Sequence, residues 1–286
     1  MSGTLFLVAT PIGNLDDMTF RAIATLKGAA TIVAEDTRRA RILCDHFGIG
    51  TRLISMPAFS ESTRAGGVVE RLCAGEDVAL VSDAGMPGIS DPGALLVERA
   101  LQAGVRVVPI PGASAVISAL SASGLPTGRF HFAGFLPRKG ESRRSLLGAL
   151  QRIEATIIIY ESPERLGATL RELASLWGER RAVVARELTK IHEEFARGTL
   201  SALAAKFQEK PRGELTLLIE GACADAGQRF VSDEALEAEL ERRLSEGTES
   251  LKELVRELAE ASGRRKNEVY AMALRLKARV PQADER

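Results

Sequence analysis

Three loops in this chain carry prolines and small residues, two of them with carboxylates as well, in patterns suited to holding a compact polar ligand against backbone. Ser82 to Gly93 (SDAGMPGISDPG) follows an apolar run and carries three glycines, two prolines and two aspartates. Gly85, Gly88 and Gly93 permit positive φ and close backbone approach, the prolines stiffen the loop, and Asp83 stands at a strand's carboxyl end, where open α/β sheets bind ligands. Asp91, directly before Pro92, reads instead as the cap of a helix with proline in its first turn. Pro111 to Ala115 (PGASA) repeats the arrangement ahead of a helix of small residues, and Tyr160 to Arg165 (YESPER) leaves a strand further along. If these loops open on a shared cleft, the ligand lies between two folded units.

Other chemistries lack their residues. Thr10 to Leu15 (TPIGNL) sits where a dinucleotide fold places its glycine fingerprint, yet it holds only Gly13 and no following Lys-Ser/Thr pair, which disfavours NAD, FAD and ATP. Cys44, Cys73, Cys223 and the three histidines have no metal-ligand spacing, and the cysteines read as small buried hydrophobes in a reducing cytoplasm. No targeting segment is expected at the start of the chain. The uncharged stretch Val107 to Thr127 is broken by Pro109, Pro111 and Gly112, so it reads as strand, turn and helix with no membrane role.

Lys plus Arg and Asp plus Glu number 38 each, so attraction to nucleic acid must come from local clusters. Arg129, Arg138, Lys139, Arg143 and Arg144 stand against Glu141 alone, and Arg264, Arg265 and Lys266 open the last helical segment. Mobile cations in a Gly- and Pro-containing loop suit a phosphate backbone. The cluster at the start of the last helix is equally compatible with a solvated helix end.

At 286 residues the chain is long enough for about two cores. Short apolar runs (Thr4 to Ala9, Thr31 to Ala34, Val78 to Val81, Val105 to Val108) alternate with amphipathic segments, which predicts a largely parallel sheet. Ser121 to Arg129 (SASGLPTGR) has linker composition, and strand runs resume at Phe130 to Phe135, Ala155 to Tyr160, Ala182 to Arg186 and Glu214 to Glu220. The expected division is residues 1–123 and 124–224 as two α/β domains, and 225–286 as a helical extension.

In this order, TPIGNL, Glu35 to Arg38 (EDTR), SDAGMPGISDPG, PGASA, YESPER and Gly213 to Thr216 (GELT) resemble the ribosomal RNA small-subunit methyltransferase I family. That family lies within the tetrapyrrole-methylase superfamily, the class III S-adenosylmethionine-dependent methyltransferases, and the resemblance runs over nearly the whole chain. It implies two α/β domains of the tetrapyrrole-methylase type with a cofactor cleft between them, plus a helix-turn-helix-like C-terminal module. It also implies a cytoplasmic homodimer, free of metal, that methylates the ribose 2′-oxygen of a cytidine in the decoding region of small-subunit ribosomal RNA, or of the 30S subunit.

Carried over by position, the resemblance assigns S-adenosyl-L-methionine to Pro11, Asp83, Ala84, Gly85, Met86, Ser114, Ala115, Tyr160, Glu161, Ser162, Leu215 and Thr216. Glu161 is the first candidate for general base, followed by Glu35 or Asp36, with a positioning role for Glu161 as the alternative. Arg38, Arg39, Arg138, Lys139, Arg143, Arg144, Arg264, Arg265 and Lys266 are the expected RNA contacts. Glu164 stands where the family usually has histidine. The competing readings are a methyltransferase acting on a small tetrapyrrole-like substrate and a non-catalytic RNA-binding assembly protein.

Overall fold

In the computed structural model, residues 2–222, 233–246, 250–262 and 264–277 are described. The first sheet holds β1 (Thr4–Val8), β2 (Thr31–Ala34), β3 (Arg52–Ser55), β4 (Val78–Val81) and β5 (Arg106–Ile110) in the order β3-β2-β4-β1-β5. Every pairing in it is parallel. Its strands alternate between two cores, as a period-two chain must when both faces are covered. Val8, Ile32, Ala79 and Val81 face one core, with residues of α1 (Phe20–Gly28) and α2 (Thr37–His46). Leu5, Val33, Val78 and Leu80 face the other, with residues of α3 (Glu61–Cys73) and α4 (Ala94–Gln102).

After α5 (Ala115–Ser123) the second sheet brings together β6 (Phe130–Phe135), β7 (Thr156–Glu161), β8 (Arg181–Arg186), β9 (Glu194–Thr199) and β10 (Leu215–Ile219), in the order β6-β7-β10-β8-β9. This sheet is mixed: β10 runs antiparallel to both its neighbours. Ile157, Ile159, Val184, Leu217 and Ile219 pack with α6 (Glu141–Leu150), α7 (Leu166–Trp177) and α8 (Leu200–Lys206). The opposite face, with Ile158, Val183, Ala185 and Leu218, is covered by Val116, Ala119 and Leu120 of α5.

The helix expected to close the first domain therefore packs on the second sheet. Arg197 fastens its carboxyl end, Nη2 donating to the Ala122 carbonyl at 2.6 Å and Nε to the Ser123 carbonyl at 3.1 Å. Residues 1–220 form one compact unit and the described residues beyond them another. The second unit contains α9 (Asp233–Glu246), α10 (Leu251–Ser262) and α11 (Lys266–Lys277), built around Leu236, Leu240, Leu254, Leu258, Val269 and Ala273.

Val107 to Thr127 folds largely as β5, a turn and α5, and no helix among the described residues is long and apolar enough to cross a membrane. Cys44 is buried as expected, whereas Cys73 is exposed at the end of α3, and Cys223 lies outside the described residues.

Candidate active site

The loops after β1 and β4 are tied by a two-hydrogen-bond bridge, Thr10 N to Gly85 O at 2.9 Å and Gly85 N to Thr10 O at 3.0 Å. These strands are neighbours whose chains leave in different directions, which opens a crevice at their carboxyl ends. Gly85 (φ 77°) makes the bridge possible, since a side chain in that conformation would be strained. From the other sheet, the loop after β8 approaches so closely that a Cβ on Gly13 would lie 2.8 Å from the Leu188 carbonyl oxygen.

Between these loops lies a cleft of about 380 Å³. The β4 loop contributes Ala84, Gly85 and Met86, and the start of α5 contributes Ser114 and Ala115. Tyr160, Glu161 and Ser162 line it from the end of β7, and Leu215 and Thr216 from β10. Two of the expected residues stand back from it. Pro11 yields its place to Ile12, and Asp83 is turned toward α2, accepting from Asp36 N at 3.3 Å and pairing with Arg39 at 3.3 Å.

Asp91 lines the cleft and does not cap α4, contrary to the sequence reading. The helix begins only at Ala94, after Gly93 in positive φ, and its first amides are satisfied by a residue from α3: Glu61 Oε1 accepts from Gly93 N at 3.0 Å and Leu96 N at 3.1 Å. Asp91 is thereby released into the cleft. Burial pushes its carboxyl above the usual range, a Ser82 hydrogen bond opposes this, and the charge of Asp83 adds to it. The Tyr160 phenol is pushed up to about 12 by burial and by the negative charges of Asp91 and Glu214. The cleft is thus a mainly apolar space with negative potential, suited to a ligand carrying positive charge.

Glu161 is not arranged as a free base. Its side chain is fully buried, and both oxygens are engaged: Oε1 accepts from Ser162 N at 2.8 Å, and Oε2 from Arg165 Nη2 at 2.9 Å and Thr169 Oγ1 at 2.8 Å. Arg165 Nε lies 2.7 Å from Oε1 but is poorly aligned as a hydrogen bond, so that contact is Coulombic. Asp36 is likewise committed, capping α2 and pairing with Arg38, which holds its carboxyl down at about 2. Glu35 is raised, first by burial and then by Asp83 and Asp91.

Among the expected RNA contacts, Arg143 is buried and structural. It bonds Glu172 through Nε at 2.8 Å, the Pro137 carbonyl at 2.9 Å and Thr169 Oγ1 at 3.1 Å, so it cannot reach a phosphate. Arg138, Lys139 and Arg144 of the same cluster are exposed, as are Arg38 and Arg39. In the helical unit Arg264 is paired with Asp233, while Arg265 and Lys266 are exposed. Glu164 forms an exposed ion pair with Lys210. No group of residues suited to a metal ion occurs among the described residues.

Two α/β sheets whose loops enclose a ligand cleft are the framework of a methylase superfamily. The chain belongs to the tetrapyrrole (corrin/porphyrin) methylases, whose family model matches residues 4–204. Within that family it groups with proteins named ribosomal RNA small subunit methyltransferase I. The one from Halalkalibacterium halodurans is 46% identical, over 94% of this chain and 93% of its own. The one from Synechocystis sp. is 47% identical, over 96% of this chain and 99% of its own. In fold the chain is similar to uroporphyrin-III C-methyl transferase from Thermus thermophilus, solved in complex with S-adenyl homocysteine, with a TM-score of 0.56, 19% identity, and coverage of 76% of this chain and 97% of that one.

Proposed function

We propose that the protein methylates the ribose 2′-oxygen of a cytidine in the decoding region of small-subunit ribosomal RNA, using S-adenosylmethionine as donor and working as a homodimer. The observation that carries this reading is the end-to-end similarity to relatives named for ribosomal RNA methylation, over 93% and 99% of their own lengths. The cleft fits the donor on its own terms. Its small and backbone-lined walls at Ala84, Gly85 and Ala115 admit a flat ligand, and the carboxylates Asp91 and Glu214 that line it complement a sulfonium.

When bound, S-adenosylmethionine supplies an electrophilic methyl group on a positively charged sulfur. The chain's own contribution is then chiefly orientation, which is worth up to about 7 to 11 kcal/mol when a hydroxyl is held in line for attack. Ala84 to Met86, Ser114 and Ala115 hold the donor from one sheet, and Leu215 and Thr216 from the other. Asp91 lines the cleft and has raised proton affinity, which supports it as the base that receives the hydroxyl proton. Glu161 acts by fixing Ser162 and Arg165. The exposed Arg38, Arg39, Arg138, Lys139 and Arg144 supply phosphate contacts, and Arg265 and Lys266 supply further ones from the helical unit.

Transfer of a radiolabelled methyl to small subunits lacking modification, followed by alkaline digestion, tests the reading. Alkali-resistant label in a dinucleotide beginning with cytidine is the expected result. Donor binding without transfer to subunits or free RNA would move the substrate to small molecules, and sedimentation equilibrium checks for the dimer.

A further inference from the structure

At the mouth of the cleft two large apolar side chains are left in solvent, Ile89 at 51% exposure and Phe135 at 58%. Neither position follows from ordinary strand or loop geometry. In a regular strand, residues 132 and 135 would point to opposite faces, yet β6 is bulged between them, with Gly134 at φ 64°. Both rings consequently meet Tyr160, Phe132 edge-on at 4.8 Å and Phe135 tilted at 5.5 Å. Next to Ile89, Ser90 adopts φ 63°, a conformation uncommon outside glycine, and its hydroxyl closes on Gly134, where a Cβ would lie 3.3 Å from Oγ. A bulge in β6 and a strained residue in the loop after β4 thus present the two apolar side chains at one opening.

The geometry points to Phe135 and Ile89 as the seat for the nucleobase of the acceptor nucleotide, a positioning role that rests on the RNA reading above. A ribose hydroxyl inside folded RNA reaches a buried methyl donor only if its nucleotide is splayed out, and a base lifted from its stack needs a replacement surface. An aromatic ring exposed at the cleft mouth, with an aliphatic side chain near it, supplies one without sequence-specific hydrogen bonds. The ring is half in solvent, whereas the donor-holding walls at Leu215 and Thr216 are buried, which places Phe135 on the acceptor side.

The test is steady-state methylation of unmodified small subunits by Phe135→Ala, Ile89→Ala and Phe135→Tyr, with calorimetric affinity for S-adenosylhomocysteine measured on each. Phe135→Ala is expected to lower kcat/KM for subunits roughly ten- to a hundredfold while leaving S-adenosylhomocysteine affinity within about twofold, and Phe135→Tyr to recover most of the loss. Ile89→Ala should produce a smaller loss of the same kind. Parent-like methylation by Phe135→Ala overturns the assignment, and so does a parallel fall in S-adenosylhomocysteine affinity, which would move the ring to the donor side. Absence of ribosomal RNA methylation by the unsubstituted protein is a different outcome, removing the substrate reading and this inference with it.

Discussion

Arg165 and Glu161 lie four residues apart and are joined by a 2.9 Å hydrogen bond from Nη2 to Oε2, at the point where β7 gives way to α7. Thr169, in the first turn of α7, donates to the same oxygen and accepts from Arg143. A carboxylate in that setting anchors the cleft wall. Glu161→Gln leaves Arg165 facing an amide, and removing one partner of a buried pair typically destabilises by about 3 to 5 kcal/mol. The urea midpoint should fall, while protein that remains folded keeps the parent pH–rate profile. A shifted profile at unchanged stability would return Glu161 to the role of base.

Two neighbouring arginines should behave oppositely. Arg143→Ala removes charge-assisted bonds to Glu172 and the Pro137 carbonyl and is expected to cost about 2 to 3 kcal/mol of stability. Arg144→Ala, on the exposed side of α6, should leave the melting temperature unmoved and flatten the slope of log affinity for RNA against log salt by about 0.7 to 0.9. Paired thermal melts and salt titrations separate the two.

For Asp91 the sign of the pH effect runs against the usual one for a carboxylate. Its folded pKa is raised, so above the ordinary carboxyl value of 3.8 the native state holds the proton more tightly than the unfolded chain does, and stability falls as pH rises through the folded pKa. Asp91→Asn is therefore expected to melt higher than the parent at pH 7, with the difference shrinking toward pH 3. The same substitution should depress methyl transfer. An unchanged melting temperature at pH 7 would show that water reaches the carboxylate freely.

Glu61 reaches from α3 to complete the first turn of α4. Glu61→Ala is expected to destabilise by about 1 to 2 kcal/mol, as loss of a helix cap does, and to weaken donor binding through the Ser82 to Gly93 loop. Denaturation and calorimetry on the same preparation check both effects. Loss of stability with full donor affinity would uncouple the helix start from the loop.

Much of the first sheet was legible because its strands are uninterrupted apolar runs, buried on both faces. Of the four edge strands, β5 and β6 were legible and β3 and β9 were not. No strand is predicted at β3 or β9 (RLIS and EFARGT), since an edge strand needs few buried residues and its pairing partners lie elsewhere in the chain. The loops that line the cleft were recognisable from glycine, proline and small residues, which act locally through φ and size. The status of Asp91, Glu161 and Arg143 was hidden because each depends on a partner that spacing does not reveal: Glu61 caps the helix in place of Asp91, Thr169 lies in the helix that follows the strand of Glu161, and Glu172 lies on another helix from Arg143.

The crossing of α5 onto the second sheet also bears on how such a protein can be cut or recombined. A fragment ending at Ser123 would carry a helix whose apolar side has lost its counterpart, and one beginning at Gly124 would leave Ile158, Val183 and Leu218 uncovered. Neither half is self-sufficient, so shuffling of halves between relatives at the apparent linker would have to exchange α5 together with the sheet it shields.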